Sequence, residues 1–156
     1  TGIHSFPTRR SSDLALEAYA QSGVPEACLD LQDRYGQNTA FLLWAVWAEE
    51  ADPARLARGA AVAREWEALA IAPIRAVRRA LKAPAPPVDD GAREALREDV
   101  KAVELRAERV LMETLEGLEG NSSGGAPALQ SLKAASAAWG TPAPDDALAV
   151  LAAALR

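Results

Sequence analysis

The chain has 156 residues, a length typical of one domain, and 49% of them are hydrophobic, which is enough to build a substantial core. Its 17 basic and 22 acidic residues give a net charge of −5, which argues against non-specific binding to nucleic acid or to anionic membranes. The alanine-rich, aromatic-poor composition favours helix over sheet, and the single cysteine, Cys28, excludes an internal disulfide and fits a reducing, cytoplasmic compartment.

The first residues contain the segment HSFPTRRSSDL, His4 to Leu14, which imitates a twin-arginine export signal. Asp13 and Glu17 interrupt the apolar run that a signal peptide needs. Residue for residue, the segment resembles the translation of a widely used sequencing adapter. We therefore expect residues 1–13 to be a non-native tail, with the native N-terminus lost upstream of about Leu14, and residues 14–156 to form a single helical domain.

Caps at Asn38 and Asp52, prolines and apolar spacing predict the elements of the first half in chain order. We expect four helices, at about Leu14–Gln21, Pro25–Arg34, Thr39–Glu50 and Asp52–Ala72, of which the first is a remnant. The third helix is apolar nearly all round, so we place it at the centre of the bundle. Its run AFLLWAVWA is about half as long as a membrane span, so no membrane association is expected. Pro73 should kink or restart the helix before a basic segment that continues to Lys82.

The second half is predicted to contain one long helix and two short ones. Loops are expected at about 83–90 and 117–127, around a helix over about 91–118, with further helices over about 128–139 and 145–155. Apolar residues in the long helix alternate at spacings of four and three, which is the packing seam of a helical hairpin. This seam consists of Leu96, Val100, Val103, Ala107 and Val110. The predicted fold is therefore all-α, an irregular helical bundle built on a long antiparallel helical hairpin.

Three stretches together carry a family resemblance: ALEAYAQSGVPEACLDLQDRYGQNTAFLLWAVWAEE, EWEALAIAPIRAVRRALK and AVELRAERVL. They resemble a small proteobacterial family of short all-helical proteins, domain of unknown function 2390, over roughly Leu14 to Leu118. The aromatic pair, Trp then Phe, that begins the first helix in this family is replaced here by the adapter-like segment, and the part after Gly120 is less typical. The resemblance implies a bacterial helical protein and supplies no activity.

The residue types present in the chain exclude most common kinds of catalytic and metal site. Once His4 is discounted with the tail, the chain has no histidine for a catalytic triad, a Cys–His dyad or a zinc site. Cys28 then lacks a base and is interpreted as a small core residue. A carboxylate-only magnesium site at Glu94, Glu98 and Asp99 is conceivable, but no phosphate-binding loop accompanies it. We therefore expect no catalytic residue, no cofactor and no metal.

A basic stripe is the most prominent polar feature. Arg75, Arg78, Arg79 and Lys82 fall at i, i+3, i+4 and i+7 and share one helical face. The stripe is either an interaction face or one side of a set of interhelical salt bridges, and the structural alternative is favoured. In an antiparallel hairpin, Glu94, Glu98 and Asp99 would lie opposite Arg79 and Arg75, and two further acidic candidates, Glu104 and Glu108, follow along the helix.

Trp66 is the tryptophan that could serve as a partner-facing anchor beside this stripe. If it is buried instead, its indole N–H needs an acceptor, and Gln32 or Asp33 is a reasonable candidate.

These observations lead to one leading hypothesis and two alternatives. The leading hypothesis is a non-catalytic cytoplasmic interaction or scaffold protein that uses an apolar and arginine-bearing helix face to bind an unknown protein partner or itself. The first alternative is a nucleic-acid-associated regulator that uses Arg75, Arg78, Arg79 and Lys82. The second is an enzyme that works through carboxylates or arginine, which would require an open cleft lined by Arg75 and by Glu104 or Glu108.

Overall fold

The chain is all α over the part that the computed structural model describes, namely residues 13, 17–118 and 124–155. The helices are α1 (Val24–Tyr35), α2 (Thr39–Trp47), α3 (Pro53–Trp66), α4 (Ala72–Ala80), α5 (Asp90–Glu116), α6 (Ala128–Trp139) and α7 (Asp145–Ala154). The predicted all-α class is confirmed. The adapter-like tail up to residue 12 and residues 14–16 of the predicted first helix lie outside the described residues. The described part of that predicted helix is helical over residues 17–19 and ends in a turn.

Local sequence signals set the helix ends. Asn38 and Asp52 cap α2 and α3, since their side chains accept hydrogen bonds from the N–H groups of Phe41 and Arg55 at 2.9 and 3.0 Å. Gly36 ends α1 in the left-handed conformation, with φ of 62°, which a residue with a Cβ atom adopts at a cost. These starts and stops fix the connections between the first three helices to a few residues each.

Pro73 was expected to kink or restart the chain, and the structure shows how the disturbance is absorbed. A π-helical segment, Glu67–Ile71, joins α3 to α4, and the Ala72 N–H donates to the Glu67 carbonyl five residues earlier. Because proline has no N–H, the regular hydrogen-bond ladder is interrupted at Pro73, and the wider turn lies directly before that interruption.

The core is centred on α2, as its apolar sequence predicts. Residues 40–45 of this helix, among them Phe41 and Trp44, are fully or almost fully buried. Gly59 of α3 lies directly against the Trp44 ring, where an added Cβ would approach Cζ3 to 3.0 Å. The absence of a side chain at Gly59 therefore allows α3 to pack closely on α2.

The packing face of α5 differs from the predicted seam. Of the seam residues only Ala107 is buried, whereas Leu96, Val103 and Val110 are 51%, 51% and 38% exposed. The apolar residues that α5 buries are Ala107, Leu111, Met112 and Leu115. The helix is rotated because Glu104 and the Ala107 carbonyl make polar contacts with α4 and α3, and these contacts turn the face that contains Val103 outwards.

The last two helices complete the core. Leu132 and Ala135 of α6 and Leu148 and Leu151 of α7 are buried. No helix within the described ranges has the length and apolar character needed to cross a bilayer.

Candidate functional site

Three members of the basic stripe lie on α4, and Lys82 follows the end of that helix. The first two members, Arg75 and Arg78, point towards α5. Arg75 Nε lies 3.1 Å from Glu104 Oε2, and Arg78 Nε donates to the other oxygen of the same carboxylate. The side chains of Arg75 and Arg78 are 13% and 19% exposed. One carboxylate on α5 therefore holds two guanidinium groups of α4 at a largely buried interface.

The other two members of the stripe face away from this interface. Arg79 Nη2 lies 2.8 Å from Asp33 Oδ1 of α1, and both side chains are about half exposed. Lys82 is exposed and makes no ion pair with any residue that the structure describes. The four cations therefore do not form one accessible surface, and the nucleic-acid alternative loses the face on which it depends.

The acidic residues closest to the loop pair differently from the predicted register. Glu94 Oε1 lies 2.8 Å from Arg93 Nη1, and Glu98 Oε1 lies 3.0 Å from Lys101 Nζ, all within α5. Asp99 makes no ion pair within the described part of the chain. The reason is that Arg93, not an acidic residue, reaches the end of α4, where its guanidinium donates to the Leu81 carbonyl. Carbonyls at a helix C-terminus lack an intrahelical partner and attract such a cation.

Glu108 is the least satisfied member of the ion-pair cluster. Its Oε1 lies 4.0 Å from Arg75 Nη2, beyond hydrogen-bonding distance, and its side chain is only 16% exposed. Burial, followed by the proximity of Glu104, raises the pKa of Glu108 to about 7. Burial also raises the pKa of Glu67, which lies 3.8 Å from Arg75.

A groove of about 390 Å³ opens beside Glu108, between α1 and α5. Its walls combine apolar side chains with polar members of the cluster. The apolar set includes Pro25, Cys28, Leu29 and Leu105, and the polar set is Tyr19, Gln32, Thr39, Arg78, Lys101, Glu104 and Glu108. Arg75 does not line the groove, so the cleft required by the carboxylate-or-arginine enzyme alternative is present only in part.

The Cys28 thiol lies in the wall of this groove and behaves as a core group. It is buried, and burial raises its pKa to about 12. The Tyr19 hydroxyl makes hydrogen bonds with Cys28 and Thr39, and burial raises the Tyr19 pKa as well. Both groups therefore remain protonated at neutral pH, and neither supplies an activated nucleophile.

Trp66 is half-buried against α5 and is not a free anchor. Its Nε1 donates to the Ala107 carbonyl at 2.8 Å, so the expected acceptors Gln32 and Asp33 do not serve it. Gln32 accepts instead from Arg75 Nη2 at 3.0 Å. The predicted Trp66 acceptors were wrong because a backbone carbonyl on α5 is nearer, and such carbonyls leave no signal in side-chain patterns.

Several residues of the site carried no clear signal in the sequence. Gln32 follows Cys28 by one helical turn, and Glu67 lies in the segment REWEAL, so each could have been found only by asking what surrounds Arg75. Within the described ranges, no group of three or more His, Cys, Asp and Glu side chains is arranged to hold a metal ion.

Comparison with known proteins places this architecture in one family. Neither the curated proteins nor the solved structures contain a match to the chain. A family model covers residues 13–115, from before α1 to the last turn of α5, and so includes every residue of the ion-pair cluster. The chain belongs to this family, whose description is "Protein of unknown function (DUF2390)".

Proposed function

We propose that this protein is a non-catalytic interaction module that binds a second copy of itself through the outward face of α5. The observation that carries the proposal is the row formed by Leu96, Val103 and Val110, which are spaced seven residues apart and are exposed on one face. Apolar residues at this spacing are the seam of a two-helix coiled coil. The basic stripe is not that face, because Arg75 and Arg78 already pair with Glu104 inside the protein.

The charges between these apolar residues favour a second copy as the partner. Asp99 and Arg106 are exposed on the same face, and neither makes an ion pair within the described part of the chain. Two α5 helices packed antiparallel about a two-fold axis near Val103 would place each Asp99 opposite Arg106 of the other copy. An isologous contact of this kind repeats each favourable pair twice, and charged seam positions set orientation and register.

The apolar face continues beyond α5. Leu69 of the π-helical segment is 74% exposed and lines a shallow groove of about 240 Å³ together with Val62, Trp66 and Val110. This groove lies at one end of the row and would receive side chains from the second copy. The row on α5 and this groove together form a contiguous exposed apolar patch, and such patches are typical of protein–protein contacts.

Charge reversal tests the proposed interface. In D99R the introduced arginine would oppose Arg106 of the other copy, and in R106D the introduced aspartate would oppose Asp99, so either single variant should weaken dimerisation. Two like-charge contacts of about 0.5–1 kcal/mol each predict a dissociation constant about 5- to 30-fold higher. The double variant D99R/R106D should restore association, as measured by sedimentation equilibrium at low salt.

A swap within α5 but off this face provides the control. E98K/K101E reverses an ion pair that is internal to one chain and should leave the dissociation constant unchanged. A wild-type protein that stays monomeric over the full concentration range, or a D99R variant that associates as the wild type does, would contradict the proposal.

A further inference from the structure

The carboxylate of Glu108 lines the groove and accepts no side-chain hydrogen bond from any residue that the structure describes. Arg75 donates its Nε to Glu104 and its Nη2 to Gln32, while Arg78 donates to Glu104. Glu108 therefore receives no hydrogen bond from either guanidinium, and among the described residues the nearest cationic atom, Arg75 Nη2, is 4.0 Å away. A largely buried carboxylate in this position is costly unless it takes up a proton or meets a donor.

The charges around Glu108 do not balance. Three carboxylates, on Glu67, Glu104 and Glu108, share the two guanidinium groups of Arg75 and Arg78. Lys101 at the groove wall does not change this count, because it pairs with Glu98 at 3.0 Å. The groups that α1 and the preceding segment direct towards the groove, Tyr19, Cys28 and Gln32, are neutral at pH 7. Counted over the described part of the chain, the cluster thus carries one uncompensated negative charge when Glu108 is ionised.

The shape and lining of the groove restrict what could supply the compensating charge. Its volume of about 390 Å³ falls in the range of small-molecule sites, on the order of 300–1,000 Å³. Pro25, Leu29 and Leu105 offer an apolar surface. The carboxylates do not form a group that could hold a metal ion within the described residues. An organic cation meets both requirements, since its charged end satisfies Glu108 and its apolar body covers the wall.

We propose that this groove binds a small organic monocation, a primary amine with an apolar body, whose ammonium group donates hydrogen bonds to Glu108. The ammonium group offers three donors and one positive charge, which matches the single unused carboxylate. The site does not depend on self-association, because it lies between α1 and α5 and contains none of Leu96, Asp99 and Arg106.

Calorimetric titration with phenethylamine, with phenethyl alcohol as the neutral analogue, tests this site. We expect the amine to bind at least about tenfold more tightly than the alcohol at pH 8 and constant ionic strength. Amine affinity should fall about tenfold between pH 8 and pH 6, because a carboxyl group with a pKa of about 7 changes from about nine-tenths to about one-tenth ionised.

E108Q should abolish both the preference for the amine and its pH dependence, whereas E113Q, an exposed glutamate of α5 outside the groove, should alter neither. Chemical shift changes at Leu29 and Leu105 would place the amine in the groove. Equal binding of amine and alcohol, no binding of either, or an E108Q variant that retains amine binding would overturn the proposal.

Discussion

At the scale of single residues, Glu108 links protein stability to pH. The ordinary pKa of a glutamate is 4.5, and in the folded protein the pKa of Glu108 is about 7. Between these two values the folded state binds more protons than the unfolded state, so the free energy of unfolding falls as pH rises from 4.5 to 7. The shift corresponds to a loss of about 3 kcal/mol, as an order of magnitude.

The variant E108Q tests this linkage because glutamine resembles the protonated side chain. We expect E108Q and the wild type to be equally stable near pH 4, and E108Q to become more stable by up to about 3 kcal/mol at pH 8. Urea unfolding of both proteins across this pH range measures the difference. A difference that stays constant with pH, or favours the wild type at pH 8, would show that Glu108 ionises normally in the folded protein.

At the scale of elements, the carboxylate of Glu104 joins α4 to α5 through two ion pairs. Glu104 contacts both Arg75 and Arg78, so E104Q leaves two largely buried guanidinium groups without their shared anion. We expect E104Q to lower the free energy of unfolding by about 2 kcal/mol or more, because Arg78 then has no ion pair with any described residue and Arg75 loses its shortest one. K82A, an exposed member of the same stripe, should change stability by less than about 0.5 kcal/mol. Equal effects of the two variants in chemical denaturation would refute this distinction.

The positions of the helices along the chain could be predicted from the sequence much better than the face that each helix buries. The caps at Asn38 and Asp52 are local signals, and they lie where the sequence predicts. The buried face of α5 is set by tertiary contacts, because Glu104 and the Ala107 carbonyl bind groups from distant segments. An apolar repeat such as Leu96, Val103 and Val110 occurs both on helix faces that pack within the chain and on helix faces that remain exposed, so the repeat alone does not tell which of the two is present.

The contacts of the candidate site were likewise only partly predictable from the sequence. The spacing of Arg75 and Arg78 correctly indicates one shared face, but the choice of Glu104 over Glu98 depends on the loop and on the position of Arg93. The groove results from the relative placement of α1 and α5, and no motif encodes it. Spacing along a helix therefore predicts which side chains act together, but not which distant groups they meet.

At the scale of the whole molecule, the turn between α1 and α2 is joined to the last two helices through buried Gln37. Its Nε2 donates to the Thr141 carbonyl at 2.8 Å, and its Oε1 accepts from Ser136 Oγ at 2.8 Å. The Ala143 N–H donates in turn to the same Ser136 hydroxyl. The family model ends at residue 115, yet this network binds residues beyond that point to the centre of the fold. We therefore expect one cooperative unfolding transition for the entire chain.

The variant Q37L tests this coupling because leucine fills similar space and removes every hydrogen bond of the amide. The buried Ser136 hydroxyl would lose the acceptor for its proton, and the Thr141 carbonyl would lose its donor, which predicts a loss of about 1–3 kcal/mol. The matched substitution Q130L changes an exposed glutamine of α6 and should cost less than about 0.5 kcal/mol. Both should keep a single transition with an unchanged urea dependence when followed by tryptophan fluorescence, because Trp44 lies on α2 and Trp139 on α6, the helices that the network joins. Separate transitions in Q37L would mean that α6 and α7 unfold independently, and wild-type stability would mean that Gln37 contributes no net coupling.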